Sequence, residues 1–292
     1  DMVNIGIIGI GLMGRAFVER FMSQDFVVRV FNRTQDNIKD LINDGVIACN
    51  SVEDLIGQSD VIILIASDAN AIHQVMRLDQ DTNPQQDLQG KTIIQMATIA
   101  PRQSKVIDKA IVVRGGDYLE APVLGSIPEA KSGTLIIMAG GLKTVFENAL
   151  PILQALGSSP RYIGETGTAA ALKLAMNQLI ASLTAGFSLS LGYAIRNGVD
   201  TDLFMDTVRE SSLYAQTYDK KLQKYLDRDF GTANFSTRHL LKDIRLFIED
   251  AKAAGLNTDS LEGIERITNS TVDNGMEIMD YSSIYQTICP DS

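Results

Sequence analysis

Near the amino terminus, Gly9-Ile10-Gly11-Leu12-Met13-Gly14 form a G-x-G-x-x-G run. Spaced this way, the first glycine turns the chain sharply, the second lets a pyrophosphate approach the backbone, and the third lets a helix press on the preceding strand. The unpaired N–H groups and positive dipole end of that helix attract phosphate, so the chemistry on offer is dinucleotide binding. A second candidate lies far along the chain. Lys173 precedes residues 174–195, which carry no charge, and Asn177 falls four residues on, on the same helical face. An ammonium beside so much apolar surface is costly unless it is paired or ready to give up a proton, and a lysine pKa moves readily on burial. Two readings stand for Lys173: an acid/base group, or a side chain whose ammonium reaches water at a helix end.

The elements that must position these residues follow from periodicity. Val3, Ile5, Ile7, Ile8 and Ile10 read as a buried strand, and Leu12, Met13, Ala16, Phe17, Phe21 and Met22 recur at helical spacing. The glycines therefore lie between a strand and a helix. A second strand over 26–31 leads into Asn32-Arg33-Thr34. An NAD site carries an acidic residue about there for the ribose 2′-OH. An amide, a guanidinium and a hydroxyl suit a 2′-phosphate instead, so the expected cofactor is NADP(H). Further on, 35–43 reads as a short helix, 45–48 as a strand, and 52–56 as a helix capped by Ser51. The strongest apolar run, 61–66, is a buried strand ending at Ala66, with Ser67-Asp68 at its carboxyl end, the edge where ligands bind in open parallel sheets. Strands at 92–95, 118–120, 135–138 and 161–163 alternate with helices after Pro101 and over 144–156. This pattern implies an α/β doubly wound sheet over 1–164. Strand signals then cease, and helical periodicity over 201–210, 236–254 and 260–274 implies an all-α domain over 165–292.

With 292 residues and 45% apolar composition, two domains are expected, with cores large enough to need no disulfides. Cys49, Cys289, His73 and His239 are too few and too scattered for a zinc cluster, so no metal is expected and the chain reads as reduced and cytoplasmic. The N-terminus enters a strand with no basic n-region or cleavage site, so no secretory signal is expected. A net charge of −10 argues against nucleic acid and anionic membranes as partners. Residues 174–195 are long enough to raise a membrane span, but Asn177, Gln178, Ser182, Thr184, Ser188 and Ser190 are spread through them. A helix buried in the second domain or in a subunit interface is expected instead.

Two further stretches each carry two readings. Glu120-Ala121-Pro122-Val123-Leu124-Gly125-Ser126 follows a strand and is rich in glycine and serine; its N–H groups suit a carboxylate, and an ordinary loop has the same composition. Arg238, Lys242 and Arg245, with Asp243 beside them, form a cationic helix stripe that suits an anion or plain solvation.

Taken together, Gly9 to Gly14, Asn32-Arg33-Thr34, Ala97-Thr98 before Pro101, Glu120-Ala121-Pro122-Val123, Gly167 to Asn177 around Lys173, Lys242-Asp243 and Asp280-Tyr281-Ser282-Ser283 resemble the β-hydroxyacid dehydrogenase family over nearly the whole chain. Order and spacing are most similar to its glyoxylate/succinic semialdehyde reductase branch. The resemblance implies a Rossmann domain followed by a helical domain, a homodimer or homotetramer, and NADPH-dependent reduction of a small aldehyde or 2-oxo acid, with imine reduction as the runner-up. A catalytically idle NADP-binding protein is the third possibility. By the same resemblance Lys173 is the catalytic acid/base, Asn177 positions the substrate, Thr98 lies near the nicotinamide and Lys242 on the cofactor. One departure stands out. The family's substrate loop has Ser-Gly-Gly or Ser-Gly-Ser after Pro-Val, whereas this chain has Leu124-Gly125-Ser126, leaving the N–H groups of Gly125 and Ser126 to hold a substrate.

Overall fold

The computed structural model describes residues 3–32, 38–78 and 88–291. The chain folds as two compact units, Asp1–Lys173 and Leu174–Ser292. In the first, strands and helices alternate: β1 (Asn4–Ile8), α1 (Leu12–Met22), β2 (Val27–Phe31), α2 (Lys39–Asn43), β3 (Ile47–Ala48), α3 (Val52–Gly57), β4 (Val61–Leu64), α4 (Ala69–Met76), β5 (Thr92–Gln95) and α5 (Pro101–Val113). There follow β6 (Asp117–Glu120), β7 (Val123–Leu124), α6 (Ile127–Ser132), β8 (Ile136–Gly141), α7 (Lys143–Leu156) and β9 (Arg161–Gly164). The sheet order is β3-β2-β1-β4-β5-β6-β8-β7, with β9 on β8. Strands β1 to β6 pair in parallel, and β8 runs against β6. The order reverses at β1, so the carboxyl ends of β1, β2 and β4 open a crevice at the switch point of the doubly wound sheet.

Both faces of this sheet are covered, which is why β4 is apolar at every position. On one face Ile5 and Ile7 pack with Phe17 and Phe21 of α1 and Leu153 of α7. On the other, Ile62, Leu64 and Ile93 pack with Leu55, Ile72 and Ile107. The stretch after Pro122, expected as a loop, contains β7 and the short helix α6.

The chain continues through α8 (Thr168–Arg196), α9 (Thr201–Glu210), α10 (Gln216–Asp227), α11 (Thr237–Ala253), α12 (Asp259–Thr271) and α13 (Ile284–Ile288). The C-terminal unit is all-helical. Among the described residues α8 is the one helix long and apolar enough to cross a bilayer. Its Phe187 and Leu191 pack with Met205, Tyr225 and Tyr285, and its Ala181 with Leu240, Ile244 and Leu261. Phe187 also stacks on Tyr218, ring centroids 4.3 Å apart. Helix α10, mostly Lys, Gln, Asp and Tyr, was not expected from the sequence, although Tyr218, Leu222 and Tyr225 form an apolar stripe at spacings of four and three that packs on the core.

Candidate active site

The glycine cradle is built by backbone pressing on backbone. Gly9 leaves β1 with φ +101°, and a Cβ there would lie 1.9 Å from the Ile65 carbonyl oxygen at the exit of β4. A Cβ on Gly14 would lie 2.1 Å from the Gly9 carbonyl oxygen, so α1 sits directly on the turn. Gly11, the N-cap of α1, is different: nothing lies within 4 Å of where its Cβ would be. Its cap has no side-chain acceptor and the first turn has no acid, which leaves the N–H groups at this helix start without a side-chain partner, next to the open space over Gly11. This is the arrangement a pyrophosphate needs, and the residues present fit a dinucleotide.

A cavity of about 520 Å³ opens beside the cradle, lined by Gly9, Phe31, Asn32, Ala66, Ser67, Gln74 and others. It brings together Gly9, Asn32, Ala66 and Ser67 from the expected cofactor set. Arg33 and Thr34 lie outside the described residues. The cavity wall also holds an ion pair that the sequence did not announce, Arg77 to Glu53 at 2.6 Å. Thr98 follows β5 at the same carboxyl edge, half-buried, just before Pro101 starts α5.

Glu120 ends β6 at this edge and is fully buried. Its Oε1 accepts the N–H groups of Gly167 at 2.8 Å, Ala169 at 2.8 Å and Ala170 at 3.1 Å, and Ser104 donates to its other oxygen. Ser104 in turn lies 2.9 Å from the Tyr118 hydroxyl. Glu120 thus satisfies orphan donors in the first turn of α8, the helix that carries Lys173. Gly140 allows this reach, since a Cβ there would lie 2.5 Å from Glu120 Oε1. Burial pushes the Glu120 carboxyl above its ordinary 4.5, against the pull of these hydrogen bonds. The folded chain therefore holds this proton more tightly than the unfolded chain. The stabilisation is full below 4.5 and is lost as pH rises through the raised value. Glu120→Gln keeps an acceptor for the three N–H groups and should remove this contribution. Thermal melts of both proteins from pH 4 upward are expected to show the native protein losing ground to the variant as pH rises; parallel curves would refute the assignment.

Lys173 is half-buried on α8, one turn beyond the residues held by Glu120. In the C-terminal unit Asn177 is buried and donates its Nδ2 to Asp243 Oδ2 at 2.7 Å, and Lys242 Nζ lies 3.1 Å from Asp243 Oδ1. Asp243 is a carboxylate that only accepts, so it fixes the amide with Oδ1 pointing away, and that oxygen is buried with no hydrogen-bond partner among the described residues. The structure thus brings Asn177, Lys242 and Asp243 together. Sequence reasoning saw Asp243 only as a neighbour of the cations. Its place on the buried stripe of α11 with Leu240 and Ile244 was the available signal. The cationic stripe itself is largely paired within the protein, Arg245 reaching Glu265 at 2.8 Å and Asn269 at 2.7 Å.

At the other candidate loop, Leu124 is half-buried and pairs in register with Ile136. Gly125 has φ +121°. Ser126 caps α6, and both its N–H and its Oγ donate to Glu129 Oε2 at 2.8 Å. The Ser126 N–H that was expected to hold a substrate is therefore committed to Glu129.

Known proteins resemble this chain over nearly its whole length. Residues 4–164 match the NAD binding domain of 6-phosphogluconate dehydrogenase, and residues 167–288 match the NAD-binding family of NADP-dependent 3-hydroxyisobutyrate dehydrogenase. The chain is 28% identical over 290 residues to glyoxylate/succinic semialdehyde reductase 1 of Arabidopsis thaliana, covering 98% of each. It is 27% identical over 288 residues to 2-hydroxy-3-oxopropionate reductase of Escherichia coli, covering 98% of this chain and 97% of that one. The solved 3-hydroxyisobutyrate dehydrogenase from Salmonella typhimurium superposes with a TM-score of 0.83 at 22% identity, over 98% of this chain and 99% of that one.

Proposed function

Because this chain belongs to the 3-hydroxyisobutyrate dehydrogenase-like family of β-hydroxyacid dehydrogenases, NAD(P)-binding oxidoreductases acting on CH–OH groups, we propose that it is an NADPH-dependent reductase of a small carbonyl compound, an aldehyde or a 2-oxo acid. The observation that supports this reading is the clamp of Glu120 on residues 167–170, which holds the turn leading to Lys173 at the carboxyl end of β6, on the same sheet edge to which the glycine turn after β1 belongs. The cofactor, when bound, supplies hydride to the carbonyl carbon. Lys173, as ammonium, donates a proton to the oxygen as negative charge develops there, and accepts it back when an alcohol is oxidised. Asn177 positions the substrate through its amide, whose orientation Asp243 sets. The role on the cofactor implied for Lys242 belongs to the same reading. The assembly proposed is a homodimer or homotetramer, in keeping with the exposed Leu179, Leu189 and Tyr193 on α8.

The test is NADPH oxidation followed with glyoxylate, succinic semialdehyde, tartronate semialdehyde and a cyclic imine. Turnover of a carbonyl supports the reductase. Turnover of the imine alone supports the runner-up, which the apolar Leu124 and the committed Ser126 favour. Thermal stabilisation by NADPH without turnover leaves only a binding protein.

The preference for NADPH rests on Arg33, a permanently charged, bidentate partner for a 2′-phosphate. Arg33→Ala is expected to raise KM for NADPH about tenfold or more while leaving NADH little changed, the scale of a charged hydrogen bond lost. Equal kcat/KM for both cofactors in the native protein would sink this part of the reading.

A further inference from the structure

The strand that ends at Glu120 does not stop at the sheet's edge. Ala121 and Pro122 carry it into β7, and the pairing of Leu124 with Ile136 at the start of β8 places Gly125 and Ser126 beyond the carboxyl ends of the parallel strands, the side on which Gly9, Ser67 and Thr98 also lie. Helix α6, which follows, packs along the dinucleotide helix α1, and Lys131 pairs with Glu19 at 2.8 Å. This loop therefore borders the ligand edge within the N-terminal unit.

A substrate carboxylate held by such a loop needs hydrogen-bond donors. The Leu124 side chain offers none. Ser126 has two, and both point at Glu129 Oε2. Where a substrate carboxylate would be received, the loop already holds a carboxylate of its own, and Gly125 is packed so closely on it that a Cβ would lie 3.1 Å from Glu129 Cβ.

We propose that Glu129 is a specificity-determining residue: by occupying the donors of Ser126 with its own carboxylate, it turns this site toward carbonyl or imine substrates that carry no carboxylate. The proposal rests on the reductase reading above and narrows its substrate class. A purely structural role for Glu129, completing the capping box of α6, is separable from this one. A glutamine at N3 completes the same box, because its amide oxygen accepts from the Ser126 N–H and hydroxyl. Glu129→Gln thus removes charge and keeps the cap, and Leu124→Ser adds back a donor.

The experiment compares the native protein, Glu129→Gln, Leu124→Ser and the double variant on succinic semialdehyde, on butanal as its carboxylate-free counterpart and on a cyclic imine, with succinate binding to the NADP+-loaded protein measured by calorimetry. The native protein is expected to favour butanal or the imine over the acid by about tenfold or more. Glu129→Gln is expected to raise kcat/KM for succinic semialdehyde about fivefold, mostly through KM, and to tighten succinate, with butanal and Tm unchanged, which is the scale of one partly exposed charge pair. Leu124→Ser should act in the same direction, and the double variant should exceed either. Turnover of butanal with an unaltered acid-to-butanal ratio and unaltered succinate binding in Glu129→Gln would overturn the proposal alone. A native preference for the acid would do the same. Failure of all four proteins to turn over any compound would overturn the reductase reading beneath it.

Discussion

Lys173→Ala should lower kcat for the preferred carbonyl by about a hundredfold or more, the usual worth of general acid catalysis, while NADPH still binds. Removing the ammonium leaves the developing alkoxide without a positioned proton, whereas the cradle is built by Gly9, Gly11 and Gly14 and the clamp on α8 by Glu120. KM for NADPH and the thermal stabilisation it gives should therefore stay within about twofold of native, a free-energy change well under 1 kcal/mol. Asn177→Ala should be milder in kcat and stronger in KM, because positioning and not proton transfer is lost. Near-native turnover in Lys173→Ala would remove the acid/base assignment. A parallel loss of cofactor binding would show that Lys173 supports the fold of the site instead.

The second large effect concerns the cradle, where two glycines in one motif should respond in opposite ways. Gly14→Ala puts a methyl carbon 2.1 Å from the Gly9 carbonyl oxygen, a backbone atom fixed by β1 on one side and Ile65 on the other, so neither can yield cheaply. A loss of roughly 1–3 kcal/mol of stability or more is expected, visible in the melt of the ligand-free protein. Gly11→Ala meets nothing within 4 Å, and φ −86° with ψ −162° suits alanine. Its ligand-free stability should hold or rise by about 0.4–1 kcal/mol, since the unfolded chain loses freedom. The same methyl stands where a pyrophosphate approaches, so NADPH affinity should fall about tenfold or more, roughly 1.4 kcal/mol. Equal melting and equal cofactor affinity in the two variants would mean that the space over Gly11 is not the phosphate site.

The sequence carried some of these features openly and concealed others for identifiable reasons. The cradle was legible because its positive φ and its close approaches leave glycine as the residue that fits, and β4 was legible because a strand covered on both faces is apolar without interruption. Strand β7 is two residues long and has no period to detect. Helix α6 had a readable sign that went unused: Ser126 followed three residues later by Glu129 is the pattern of a capping box. The reach of Glu120 to Ala169, a separation of 49 residues, and of Asn177 to Asp243, a separation of 66, depends on tertiary packing that local pattern does not encode. Asp243 looked like one more surface acid beside Lys242 until α11 was seen to turn it inward.

The stacking of Gly14 on Gly9 and of Gly9 on Ile65 has a consequence for selectivity. A cradle held by backbone against backbone has its shape before any ligand arrives, so binding there spends little on ordering the loop. Its donors are main-chain N–H groups, which see a diphosphate and nothing of what hangs on the ribose. Such a site is strong and indiscriminate: it serves a phosphorylated and an unphosphorylated dinucleotide alike. On the NADPH reading proposed above, discrimination between them falls to Asn32 in the cavity wall and to Arg33 next in sequence, so a change of a few residues there would exchange the cofactor without disturbing the glycine turn.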